Sequence, residues 1–69
     1  MNHLEYHIEY DLELLMVYVS GLTSDGFWDH VVDFDEVNDP ESFAQGLAEG
    51  YKLNGKFATI ESVLIEAVE

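Results

Sequence analysis

The chain contains no cysteine and no arginine, and only two lysines, Lys52 and Lys56, among its 69 residues. Without cysteine there are no disulfides and no thiolate metal sites, so a small fold must rest on its core alone. Without arginine there is no bidentate clamp for phosphate or carboxylate, and two lysines make too few counterion-releasing contacts for DNA or RNA. Fifteen carboxylates bring the formal charge to −13, which repels nucleic acid and anionic membranes and attracts basic proteins. Proline occurs once, and no apolar run reaches the length of a membrane span. The opening residues are acidic and alternating. A secretory leader is basic and then apolar, so a cytoplasmic protein is expected.

What is present is a hydrophobic fraction of 48%, with nine aromatics. That is too apolar for a disordered chain and suits one small domain over residues 1–69. The organising stretch is His3 to Ser20. Leu4, Tyr6, Ile8, Tyr10, Leu12 and Leu14 alternate with His3, Glu5, His7, Glu9, Asp11 and Glu13, the period of a strand with one face buried and one wet. The alternation stops at Leu15, which predicts either cover on both faces or a bulge near Leu14. Ser20 to Gly26 has the small and glycine residues of a hairpin connection. A second strand is expected from Phe27 to Glu36, with Trp28, His30, Val32 and Phe34 on one side and Phe27, Asp29, Val31, Asp33 and Asp35 on the other. A turn centred near Thr23 sets Glu13 opposite Asp33 and Asp11 opposite Asp35, an unfavourable juxtaposition of like charges.

Asn38-Asp39-Pro40-Glu41 predicts a helix start, with Asp39 capping, Pro40 in the first turn and Glu41 near the positive dipole end. Phe43, Ala44, Leu47, Ala48 and Tyr51 form its apolar stripe. Gly46 and Gly50 weaken the helix in exchange for close approach to the sheet. Asn54-Gly55 ends it. Residues 56–69 carry both helical and strand spacing, and their β-branched content favours a strand. The expected fold is α+β: a small antiparallel sheet in the order strand, strand, helix, strand, with one helix packed on one face.

The candidate site is the acidic face. Carboxylates two residues apart on a strand recur roughly every 6.6–6.8 Å, a row able to imitate nucleic-acid phosphates. Glu5, Glu9, Asp11, Glu13, Asp29, Asp33 and Asp35 are therefore the expected partner-binding residues, and ordinary solvated faces mix both signs where this one does not. His3 and His7 on one strand face lie about 13 Å apart, too far to share a metal with bonds of about 2 Å. His30 is expected in the core, as is Trp28. Residues from Asp33 onward fit a calcium loop badly, with Asn38 where glycine is needed and Ala44 where the bidentate glutamate belongs. No metal and no cofactor is expected. Four serines lack a nucleophile-elbow context and there is no phosphate-cradling glycine loop, so no catalytic residues are assigned and the chain is not expected to be an enzyme. Phe27 and Val31, with Leu15, Val17 and Val19, would form an apolar patch beside the acids.

A small, acidic α+β chain without cysteine or arginine, with carboxylates in rows such as Glu5-x-x-x-Glu9-x-Asp11-x-Glu13, resembles the phage-encoded DNA-mimic inhibitors. These include anti-CRISPR and anti-restriction proteins and inhibitors of host polymerase or uracil-DNA glycosylase. The resemblance lies in overall character and carries no aligned motif. It implies a stoichiometric inhibitor in the host cytoplasm whose partner is a basic host protein with a nucleic-acid-binding surface, such as a CRISPR effector. No direct contact with nucleic acid or membrane is implied. The residues leave open a structural or adaptor module, such as a homodimer joined through apolar patches, whose charge serves solubility or salt adaptation.

Overall fold

The computed structural model describes residues 3–63. Four strands, β1 (Glu5–Asp11), β2 (Met16–Leu22), β3 (Trp28–Phe34) and β4 (Phe57–Ser62), and one helix, α1 (Pro40–Leu53), follow in the order β1-β2-β3-α1-β4. The sheet order is β3-β2-β1-β4. The β1/β2 and β2/β3 pairs are antiparallel and β1/β4 is parallel. The expected α+β fold with one helix on one sheet face is what forms. It has one more strand than the sequence suggested and a mixed rather than purely antiparallel sheet. The final segment pairs as a strand through Ser62, and residues 64–69 lie outside the described residues. Among the described residues, no helix is long and apolar enough to cross a membrane.

The extra strand comes from a turn inside the opening stretch. At Leu12–Leu15 the chain reverses, so β1 and β2 are two arms of a hairpin, with Asp11 paired to Met16 and Tyr10 to Val17. Asp11 closes the turn itself: its Oδ1 accepts from the backbone N–H groups of Glu13 and Leu14, each at 2.9 Å. Such an Asx turn lets an aspartate do the work of a turn glycine or proline. Leu15 takes the left-handed conformation, φ 55°, and its carbonyl accepts from Val37 N–H at 2.9 Å. The second hairpin is tighter than expected, closing from Thr23 to Phe27 through Thr23 N–H to Phe27 O at 2.7 Å. Glu13 thus sits at a turn tip, and Asp33 faces Tyr18 instead of Glu13.

Alternation then decides what is buried. Tyr6, Ile8 and Tyr10 of β1 stand opposite Gly21, Val19 and Val17 of β2 and turn toward the helix. Ile8, Val17 and Val19, with Ala44 and Ala48, form the fully buried core, extended by Val32, Phe34, Leu47, Tyr51 and Ala58. Tyr6 stacks on Tyr51 with ring centroids 3.9 Å apart, and Phe34 meets Phe43 edge-on at 4.8 Å. The helix begins as expected, with the Asp39 carboxylate accepting from Ser42 N–H at 3.3 Å, and its C-terminus passes through Asn54 into Gly55 at φ 80°. Gly46 and Gly50 do not serve close packing, since a Cβ at either would meet open space. Val17 and Val19 belong to the core and not to a surface patch.

Candidate functional site

The face of the sheet away from the helix carries Glu5, His7 and Glu9 of β1, and Met16, Tyr18, Ser20 and Leu22 of β2. Trp28, His30 and Asp33 of β3 join them, with Phe57, Thr59 and Glu61 of β4. Two rows run across all four strands. One reads Asp33, Tyr18, Glu9, Glu61 and the next His30, Ser20, His7, Thr59. Trp28 beside Leu22 and Phe57 beside Glu5 supply exposed aromatics at one end, Trp28 49% and Phe57 73% accessible. Among the described residues, none of the positions on this face is lysine or arginine.

Tyr18 stands between Asp33 and Glu9 in the first of these rows. Its hydroxyl donates to Met16 Sδ at 3.4 Å. Its phenol holds its proton more tightly than an ordinary tyrosine, first because hydration is lost and then because Asp11, Asp33, Asp35 and Glu9 each oppose a second negative charge there. Four of the seven acids picked from the sequence therefore act on one point.

The seven nonetheless do not form a single row. Glu5, Glu9 and Asp33 share the open face. Asp35 lies just past β3 and Glu13 at the β1–β2 turn tip. Asp11 is 4% exposed, committed to its turn, and cannot meet a partner directly. Asp29 pairs with Gly21 and so points to the opposite side, where it lies 3.9 Å from His3 Nε2. The cause is a bulge. The register between β2 and β3 shifts between Val19 and Ser20, so that Val32 opposes Val19 while His30, not Val31, opposes Ser20. One extra residue reverses the facing of everything before it on β3. The same shift brings Trp28 and His30 out of the expected core onto the open face, where His30 Nε2 lies 3.1 Å from Asp33 Oδ1. Phe27, expected beside the acids, is in the hairpin loop, and Val31 is the bulged residue.

His3 and His7 do not share a face. The His3 ring fills the space above Gly21, where even a methyl group would stand 2.5 Å from its Cγ. His7 looks out from the open face, with Nε2 at 3.3 Å from Glu61 Oε1 and 3.8 Å from Glu9 Oε2. Its Nδ1 is 2.9 Å from Thr59 Oγ1. The sequence reading missed Glu61, whose place beside Glu9 depends on a parallel pairing between strands far apart in the chain. Comparison with known proteins finds no match to this chain among protein-family models, curated proteins or solved structures.

Proposed function

We propose that this chain is a stoichiometric binding protein whose open sheet face docks on the cationic, nucleic-acid-binding surface of another protein and keeps nucleic acid from it. The phage-type inhibitors of host defence enzymes are the nearest functional likeness. The observation that supports this most is the row Asp33, Tyr18, Glu9 and Glu61 across the open face, a face without lysine or arginine among the described residues. Like charge gathered in this way speeds encounter with a basic surface and is screened by salt. Trp28 and Phe57, exposed beside it, are of the residue type that anchors an interface once the surfaces meet. The same negative field excludes direct binding of DNA or RNA.

The test has two stages. The chain captures its partner from a bacterial lysate, and the purified partner is then challenged with a labelled duplex or guide RNA. The proposal expects one-to-one displacement of the nucleic acid, weakening as salt is raised. It also expects displacement to vanish in the double charge reversal Asp33→Lys with Asp35→Lys, without loss of folding. Asp11 is left in place because it holds the turn. A partner that keeps its nucleic acid while bound, or an unchanged double variant, would overturn the proposal.

A further inference from the structure

We infer that His7, Glu9 and Glu61 form a binding site for a divalent transition-metal ion, with Zn²⁺ the best fit. This goes beyond partner docking and stands on its own geometry. The parallel β1/β4 register sets Glu9 directly opposite Glu61 and His7 directly opposite Thr59. His7 and Glu9, two apart on β1, share a face, so three donor side chains from two neighbouring strands converge. One ligand atom from each lies within 4.8 Å of the other two, and His7 Nε2 is 3.3 Å from Glu61 Oε1 and 3.8 Å from Glu9 Oε2. Tetrahedral bonds of about 2.0–2.2 Å place ligand atoms roughly 3.3–3.6 Å apart, so small side-chain rotations complete the geometry without moving backbone.

One feature outside the donor set points to a cation. Thr59 Oγ1 at 2.9 Å from His7 Nδ1 fixes the ring so that Nε2 is the atom turned toward both carboxylates. That is the orienting contact metal-bound histidines ordinarily make through their other nitrogen. Within the donor set, Glu9 and Glu61 are like charges set opposite each other, with His7 Nε2 at 3.8 and 3.3 Å from them and no lysine or arginine among the described residues of this face. The ligand chemistry sets the class of ion. An imidazole with two carboxylates suits zinc and its first-row neighbours better than Mg²⁺ or Ca²⁺, which prefer oxygen alone. Three protein ligands leave one position open to water or to a donor from another molecule.

Calorimetric titration of the full chain with ZnCl₂, in a large excess of Mg²⁺, tests the site. One Zn²⁺ per chain is expected. His7→Gln and Glu61→Gln should each lower affinity at least tenfold, and Thr59→Val, which removes only the orienting contact, by about tenfold. His30→Gln should change nothing, and with Asp33→Lys and Asp35→Lys together one Zn²⁺ per chain should still bind, weakened by about tenfold through long-range charge and by less as salt is raised. The docking and metal proposals therefore fail separately. In the unmodified chain, NMR should show the ring signals of His7 moving on titration ahead of those of His3 and His30, which covers the case of a variant that folds poorly. Absence of binding, equal affinity in His7→Gln, or displacement by Mg²⁺ as from a diffuse polyanion would overturn the assignment.

Discussion

Replacing Asp11 with alanine separates a carboxylate that builds the fold from one that merely adds charge. Its side chain is 4% exposed and receives two backbone N–H groups at 2.9 Å. Hydrogen bonds to a charged acceptor contribute about 1.5–3 kcal/mol each when fully buried. Two terms reduce that here. The freed N–H groups of Glu13 and Leu14 are in an exposed turn and regain water, and removing one negative charge from a chain of net −13 relieves repulsion. The net cost should resemble the loss of a helix cap, about 1–2 kcal/mol. In a domain of this size that lowers the melting temperature by about 5–15 °C. Asp11→Asn, which keeps the acceptor oxygen, should lose about half as much. Glu13→Ala, at the tip of the same turn, should be neutral or stabilising within about 0.5 kcal/mol. Thermal melts of the three variants at one ionic strength make the comparison. An Asp11→Ala protein as stable as the parent, or more so, would refute the turn assignment and return Asp11 to the pool of solvated acids.

Two further outcomes follow from backbone and burial. Leu15 holds φ 55° against the preference of any L-residue with a Cβ, so Leu15→Gly should raise stability by about 0.5–1 kcal/mol in urea denaturation; a loss would mean that its side-chain contacts outweigh the strain. Tyr51 has its phenol pKa raised above 10.0 by burial and then by neighbouring Tyr6, so the unfolded chain ionises first as pH rises. The contribution of Tyr51 to stability should be level below about pH 10 and decline from there through the folded value, so that above pH 10 Tyr51→Phe should decline less. Equal decline in both proteins would place the alkaline sensitivity elsewhere.

Where a local chemical signal existed, the sequence was informative. The Asp39-Pro40 start and the Asn54-Gly55 stop bracket α1, and the alternation of Tyr6, Ile8 and Tyr10 identifies the buried side of β1. The β1–β2 turn carries only a faint signal, because Leu12-Glu13-Leu14-Leu15 contains none of the usual turn residues and breaks the alternation only at Leu15, which reads equally as a bulge or as cover on both faces. Its instructions are the Asp11 carboxylate and a strained leucine, both visible only in three dimensions. The Val31 bulge is silent for the same reason. A single inserted residue leaves composition unchanged yet decides whether Trp28, Asp29 and His30 look outward or in. Glu61 entered the candidate metal site through pairing across the chain, and no window of sequence contains it together with His7.

That distant pairing sets an order of events during synthesis. His7 and Thr59 are 52 positions apart, while β1, β2 and β3 form a meander of neighbours. The meander can assemble as it leaves the ribosome, but one flank of its first strand then waits, with its backbone groups open, until the last strand emerges. An idle strand flank is an invitation to pair with another nascent chain. Carboxylates such as Glu5 and Glu9 on an unpaired strand work against that pairing, because like charges on two chains repel.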